Sequence, residues 1–458
     1  MHTLDARYLE FREATAAVFS AIPELEPLRF FVFKELLVKQ GGAGVAGALK
    51  YLLRRAGRSR RRTAPSYPAG DVLLWLESRR DVLVDPVLAV YARLQAQGLA
   101  PVIASFNGPE QVPGRVIRFA AAPPSGVPAW AKRGWDGLSA VLPALGERRL
   151  RRAFEIQADA VGGVLSAAEQ LLDRLRPAVV VNASNNPIAG ATLVIAARRR
   201  GTPSVLLQHG IPQAFYTPVL NDVMLTWGTR SREALVRLGV PAAKLRVTGS
   251  PRHDRFIRAD PGEARQVLLR ALGLSDRPTL VYFSNGNDLY RNGIGPAAAA
   301  QWLEHAAERL PGVNVVARLH PNEDGSLFAS CRKVAVMPRE VDVVTALAGA
   351  DIVASQCSTA LEEAVLLSRP VWQLEGDGWP GLASHWKDGL AARVGSADEL
   401  VSRLAAAQAG GAAGSCNARL AESVFANRGC AAEAAAAAIT SLIERAGSSS
   451  EVPAEIAP

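Results

Sequence analysis

From Asp71 onward, short runs of Val, Ile and Leu alternate with longer amphipathic stretches, and the alternation passes along the chain twice. In the first pass the apolar runs are Val72–Leu76, Val102–Phe106, Val179–Asn182, Val205–Leu207, Val223–Thr226 and Arg246–Thr248. Each is short enough to be a strand buried on both faces. Helical patterns lie between them at Pro86–Gln97, Arg148–Arg174, Ala189–Arg200 and Ser231–Leu238. Strand–helix alternation of this kind predicts a parallel, doubly wound sheet. The pattern pauses over the charged stretch Arg255–Arg277 and then restarts. Strands are expected again at Leu280–Phe283, Val313–Arg318, Val334–Met337, Ile352–Ser355 and Val371–Leu374. Their helices fall at Ala297–Arg309, Asp342–Ala348, Thr359–Leu367 and Ala397–Ala407.

A chain of 458 residues is too long for one ordinary core. The expected architecture is therefore α/β, with two Rossmann-like, doubly wound parallel-sheet domains at 71–255 and 256–446 facing a cleft. Residues 1–70 read as a helical, basic N-terminal segment, Ala431–Ala446 as an alanine-rich helix, and 447–458 as a disordered tail.

The formal net charge of +9 suits anionic partners: a nucleotide diphosphate, a phosphorylated acceptor or an anionic membrane face. Nucleic acid is not expected, because no zinc-finger, helix-turn-helix or RNA-recognition pattern is present. Part of the excess is concentrated in Lys50, Arg54, Arg55, Arg58, Arg60, Arg61 and Arg62, with no acidic residue among them. Such a segment can sit on an anionic membrane at about 1 kcal/mol per basic residue. A solvated basic linker is the plainer alternative, and both stay open. Cys331, Cys357, Cys416 and Cys430 form no CxxC pair, which fits buried thiols in a reducing compartment. Residues 1–10 are polar with no apolar stretch following, and no apolar run approaches the ~20 residues that span a bilayer. The expected location is cytoplasmic, with peripheral attachment at the inner membrane through the basic segment.

Five strand-end motifs carry candidate chemistry. Gln208-His209-Gly210-Ile211-Pro212 follows Val205–Leu207. A histidine there titrates near neutral pH and can take a proton from an acceptor hydroxyl, while Gly210 lets the chain turn. Arg318-Leu319-His320-Pro321 ends a strand of the second half, where an imidazole can donate to a phosphate oxygen and Pro321 fixes the turn. Ser358 and Thr359 precede the helix that begins at Ala360, so its free N–H groups and dipole favour a diphosphate; simple capping is the alternative. Glu362 and Glu363, one turn in, can accept hydrogen bonds from ribose hydroxyls, or serve only as favourable first-turn charges. Ser284-Asn285-Gly286 is a polar loop after Leu280–Phe283 that can reach the donor. Gly249-Ser250-Pro251-Arg252-His253-Asp254 ends the first half: Gly249 allows close backbone approach, Arg252 offers a fork for phosphate or carboxylate, and Asp254 orients Arg252 or caps the next helix. There is no DxD between apolar strands and no His pair at helical spacing, so no metal is expected at the donor diphosphate, and no cofactor beyond the substrate itself.

The order His209-Gly210, then Gly249 to Asp254, then His320-Pro321, then Ser358-Thr359 and Arg369-Pro370-Val371 resembles CDP-glycerol glycerophosphotransferases and related bacterial surface-polysaccharide transferases. Bacterial polysialyltransferases share the His-Pro and Ser/Thr elements. The run Ser358-Thr359-Ala360-Leu361-Glu362-Glu363-Ala364 is similar to the nucleotide site of UDP-GlcNAc 2-epimerases. The resemblance spans roughly residues 204–375 and implies the GT-B fold. It also implies that His209 is the base, with Asp254 in the catalytic set, and that His320, Ser358 and Thr359 bind the nucleotide diphosphate. Gln356-Cys357 stands where the glycerophosphotransferases carry Asp-Tyr, and Phe283-Ser284-Asn285-Gly286 replaces an aromatic-rich loop; both departures favour a nucleotide sugar over CDP-glycerol.

The function expected from these readings is a metal-independent glycosyltransferase. It moves a sugar from a nucleotide-activated donor to a surface-polysaccharide or lipid-linked acceptor, with closure of the lobes expelling water. The alternatives are a hydrolysing nucleotide-sugar 2-epimerase, which needs carboxylates such as Glu77 or Asp222 in the first lobe, a CDP-polyol phosphotransferase, and a non-catalytic assembly subunit.

Overall fold

A computed structural model describes residues 4–38, 71–77, 79–106, 112–114, 116–122, 126–285, 295–321, 323–376, 385–410 and 418–448. The chain divides into two compact units, Met1–Arg252 with Cys430–Pro458, and His253–Gly429.

The first unit is built on seven strands: β1 (Val72–Leu76), β2 (Pro101–Ser105), β3 (Val116–Arg118), β4 (Val179–Asn182), β5 (Ser204–Leu207), β6 (Val223–Thr226) and β7 (Leu245–Val247). They form one sheet in the order β3-β2-β1-β4-β5-β6-β7, and every pair is parallel. β1 lies between β2 and β4, with Val72 opposite both Pro101 and Val179. Successive strand side chains point to opposite faces. Leu73 and Trp75 pack with Val164, Ala168 and Leu172 of helix Arg148–Leu175 and with Leu193 of helix Ile188–Arg199. Val72, Leu74 and Leu76 pack on the other side with Val84, Val87 and Val90 of helix Asp81–Ala96. Both faces are covered, which is why the strands read as unbroken apolar runs.

The second unit repeats the plan with β8 (Thr279–Phe283), β9 (Asn314–Arg318), β10 (Ala335–Val336), β11 (Ile352–Ser355), β12 (Val371–Leu374) and β13 (Ala392–Val394). Its six-stranded parallel sheet has the order β10-β9-β8-β11-β12-β13. In each sheet the winding reverses next to the first strand, between β1 and β4 and between β8 and β11. Ligands of open α/β sheets bind outside the carboxyl ends of the strands at such a reversal. The two Rossmann-like parallel sheets are those expected from the sequence, and the fold is of the GT-B kind.

Four features depart from the sequence reading. β3 and β13 were not anticipated: each has three residues and only one buried position, so neither forms an apolar run. Helix Ala129–Val141, which buries Ala131, Trp135 and Leu138, was also missed. The C-terminal helix Ala431–Ser448 groups with the first unit, where the sequence attached it to the second. Its small residues let it approach helix Asp81–Ala96 closely, and Ala435, Ala436 and Ile439 are fully buried beside Val84 and Val87.

The fourth departure concerns the N-terminus. Residues 4–38 are not a separate basic segment. Helices Leu4–Ala14 and Ala16–Ala21, the 3-10 turn Pro23–Leu28 and the helical turns of 29–38 bury Tyr8, Phe11, Phe19, Leu25, Leu28 and Phe33 against Trp135, Leu138 and Phe154. Each fully buried side chain of this kind contributes about 1.5–3 kcal/mol, so this layer is held as part of the first unit's core. The basic run Lys50 to Arg62, Gly286 and 449–458 lie outside the described residues. Among the described residues no helix is long and apolar enough to cross a membrane.

Candidate functional site

At the winding reversal of the second sheet, three strand-end loops are tied together by side chains. Asn285, just past β8, accepts through Oδ1 from the Cys357 backbone N–H at 3.3 Å and lies 3.0 Å from Ser355 Oγ. Ser355 Oγ is also 2.6 Å from the Phe283 carbonyl and accepts from the Ser358 N–H at 3.2 Å. Ser358 Oγ accepts from the Ala360 N–H at 3.2 Å, so this serine caps the following helix. Thr359 makes no capping bond through its side chain. On the β9 side, Glu323 accepts from Ser284 Oγ at 2.5 Å and from the His320 N–H at 2.9 Å. Glu323 is 3 % exposed, and Arg339 donates to its carbonyl. This carboxylate, three residues after His320, was not singled out from the sequence, although it holds the β8 and β9 loops together. His320, Cys357, Ser358 and Thr359 remain half-buried and Pro321 is exposed, so this edge is open to a ligand.

Other candidates of this unit face inward. Glu363, expected at a ribose, lies with Oε1 2.9 Å from Nε2 of His253, and both residues are 3 % exposed. The His253 ring is also held edge-on between Phe256 and Phe425. Glu362 approaches the fully buried His385 at 3.6 Å. Both glutamates of helix Ala360–Leu366, expected near a ribose, thus stand beside buried histidines. Arg318 was expected at the donor, yet its guanidinium donates to the Val341 carbonyl, and burial pushes its pKa down. Asp254 is half-buried in the 3-10 turn Pro251–Arg258.

In the first unit His209 follows β5. Its Nε2 is 3.2 Å from Tyr216 Oη, and the rings lie 5.2 Å apart. Burial pushes the imidazole down to about 4, against a small opposing pull from the Ala183 carbonyl. The ring is therefore neutral at pH 7. Gln208 holds the turn: its amide donates to the Gly210 carbonyl and Ser231 Oγ at 2.9 Å each, and its Oε1 accepts from the Trp227 N–H at 2.9 Å. A Cβ on Gly210 would come within 2.8 Å of Tyr216 Oη, so a larger residue there would press on the hydroxyl that meets His209. Tyr216 lies only seven positions after His209, and an aromatic hydroxyl at that spacing was a signal the sequence offered.

A cavity of about 30 Å³ opens beside His209, lined also by Ser184, Asn185, Asn186 and Tyr216. Next to it Asn182, Asn185 and Asn221 close a ring of amide hydrogen bonds of 2.7, 2.8 and 3.0 Å. At the winding reversal of this sheet, Glu77 follows β1 and accepts from the Ala189 and Gly190 N–H groups at 3.1 and 2.6 Å. Burial raises its carboxyl to about 7 despite those bonds.

The remaining first-unit candidates follow β7. Gly249 takes φ +86°, a left-handed conformation that favours glycine, and donates to the Thr226 carbonyl. Ser250 is buried. Arg252, expected at a phosphate or carboxylate, is 8 % exposed and approaches Asp85 at 3.8 Å. Among the described residues no group of three or more His, Cys, Asp and Glu side chains could hold a metal ion.

No protein-family model matches the chain, and no curated protein matches it. Solved structures do. A UDP-GlcNAc 2-epimerase from Neisseria meningitidis bound to UDP-GlcNAc superposes with a TM-score of 0.52 at 15% identity, over 81% of this chain and 99% of that one. The UDP-GlcNAc 2-epimerase of Methanocaldococcus jannaschii gives 0.53 at 13% identity, over 81% and 99%. At these identities the likeness is one of fold, and the fold shared is the pair of Rossmann-like sheets.

Proposed function

We propose that this chain acts on a nucleotide-activated sugar and transfers the sugar to a hydroxyl of a saccharide or lipid-linked acceptor in surface-polysaccharide assembly. The observation that carries the reading is the cluster of polar loops at the winding reversal of the second sheet, where Asn285 bridges to Cys357 and Glu323 bridges Ser284 to His320. Loops held in place by such bonds at a strand-end crevice suit a nucleotide, because they need not reorganise to receive it. His320, Ser358 and Thr359 are half-exposed at this edge and are the residues assigned to it. A fold-mate solved with UDP-GlcNAc makes a uridine nucleotide the first donor to try.

In the transfer, the acceptor oxygen attacks the anomeric carbon. The bond from that carbon to the phosphate oxygen breaks, and its electron pair leaves with the nucleotide. His209 takes the acceptor proton. An imidazole at about 4 is empty at pH 7, as a proton acceptor must be, but it is a weaker base than free imidazole. Proton transfer therefore runs late, once formation of the new C–O bond has made the acceptor oxygen acidic. No metal enters this proposal.

The second reading, a hydrolysing 2-epimerase, is favoured by Glu77. Its carboxyl, raised to about 7, can hold or release a proton near neutral pH. Incubation with UDP-, GDP- and CMP-sugars, with and without a mixed oligosaccharide acceptor, separates the two. Acceptor-dependent nucleotide release that disappears in His209→Ala supports transfer. Free nucleotide with an epimerised sugar, formed without acceptor, sinks transfer in favour of epimerisation.

A further inference from the structure

The cavity beside His209 has a second wall that comes from the N-terminal helical layer: Tyr8, Glu26, Arg29 and Phe30. That layer is pinned to the loop after β5. Tyr8 Oη donates to the Thr217 carbonyl at 2.7 Å, Arg12 donates to Thr217 and to the Leu238 carbonyl, and Asp5 accepts from the Ala214 N–H at 3.2 Å. It is a fixed wall of the cavity.

Arg29 is 6 % exposed. Its Nε and Nη2 donate to the two oxygens of Glu26, each at 2.8 Å, and its guanidinium lies 3.8 Å above the Phe19 ring. Its Nη1 is buried and makes no hydrogen bond. An unmatched buried donor on a cavity calls for an occupant, since leaving it alone costs about 1–3 kcal/mol. Along the same wall the rings of Phe30, Phe215, Tyr216 and His209 follow one another with centroid spacings of 5.4, 5.7 and 5.2 Å.

The charge balance selects the occupant. Arg29 is already paired with Glu26, so an anion entering here would meet the Glu26 carboxylate. A neutral hydroxyl meets no such repulsion. It can accept from Arg29 Nη1 and reach the amides of Asn185 and Asn186. The cavity, about 30 Å³, has room for an alcohol arm and no room for a sugar ring. An aromatic row beside polar groups is a surface on which the apolar face of a ring can rest.

We propose that this cavity is the acceptor subsite: it takes a hydroxyl or hydroxymethyl arm of a neutral saccharide on Arg29 while the sugar ring lies on Phe30 and Phe215, so that the N-terminal layer decides which acceptor is used. This rests on the transferase reading and names its acceptor class.

The test is saturation-transfer NMR on the full chain with methyl glucoside and its 6-deoxy analogue, in the absence of nucleotide. Transfer to the hydroxymethyl protons of methyl glucoside is expected. It should fall roughly five-fold, the equivalent of one lost hydrogen bond, in Arg29→Lys and in Asn186→Ala, and transfer to the C6 methyl of the 6-deoxy sugar should be weaker to the same extent. Phe215→Ala, at a half-buried ring, should weaken transfer to the ring protons. No transfer in the wild type, or transfer that all three variants retain, overturns the proposal and leaves only water in the cavity. Nucleotide-induced melting shifts of the same proteins keep the two readings apart. Saccharide transfer confined to the wild type, without any nucleotide shift, upholds the subsite and removes the transferase. A nucleotide shift without saccharide transfer does the reverse.

Discussion

Replacing His209 by Asn should alter how the stability of the first unit depends on pH, and the size of the change follows from the burial of the ring. The imidazole titrates at its ordinary 6.5 when unfolded and at about 4 in the fold. A group depressed in this way contributes stability that is present above 6.5 and is lost as pH falls towards 4. The contribution is RT times the logarithm of (1 + 10^(6.5 − pH)) over (1 + 10^(4 − pH)), which is near zero at pH 7.5 and about 2 kcal/mol of lost stability at pH 5. Asn does not titrate, so the variant lacks this loss. Urea unfolding followed by tryptophan fluorescence gives the difference, because Trp75, Trp135 and Trp227 are buried in the first unit. Whatever the substitution costs at neutral pH, wild type minus variant should shift by about 2 kcal/mol between pH 7.5 and pH 5. A difference that stays constant across that range would show that the ring is not held neutral by its surroundings, and the case for His209 as proton acceptor would go with it.

Glu77 should act with the opposite sign. Its carboxyl rises from 4.5 to about 7 on folding, so stability falls as pH rises through that window. Glu77→Gln should remove about 2.5 kcal/mol of the wild-type loss between pH 5 and pH 8, read from the same unfolding curves. Glu363→Ala leaves buried His253 without its 2.9 Å partner and should destabilise the second unit by about 1–3 kcal/mol in calorimetry, beyond Ser358→Ala at a half-buried position. Gly210→Ala should force Tyr216 away from His209, and a crystal structure of the variant would show their 3.2 Å contact broken.

The strands were legible because their burial is two-sided. Val179–Asn182 and Ile352–Ser355 are buried at all four positions, and no polar residue interrupts the apolar run before its end. β3, with Val116 half-buried and Arg118 exposed, gives no such run. Contacts between distant residues were not legible. His253 and Glu363 stand 110 positions apart, and nothing local in either motif announces that one will meet the other. For the same reason Ala431–Ser448 could be read as a helix but not assigned to the sheet it covers. The motifs at strand ends divided along similar lines. His209, His320, Ser358 and Asn285 were identifiable as strand-end polar residues, whereas the inward turn of Arg252 and Arg318 depends on Asp85 and the Val341 carbonyl. Arg29 and Phe30 lie in a segment that carries no strand-end motif, so only the packing of Tyr8, Phe11 and Phe19 reveals that they line a cavity with His209.

Nucleotide binding by the second unit is the claim on which the others rest, and thermal unfolding of the purified chain with CMP, CDP, UDP, GDP and ADP tests it most directly. A nucleotide at about a hundred times its dissociation constant adds about 2.7 kcal/mol to native stability, a clear rise in melting temperature. The expected result is a rise with one base, reduced in His320→Ala and in Asn285→Ala, and unchanged in His209→Ala. No rise with any nucleotide, or a rise that both second-unit variants retain in full, would contradict a donor site at the ends of β8, β9 and β11.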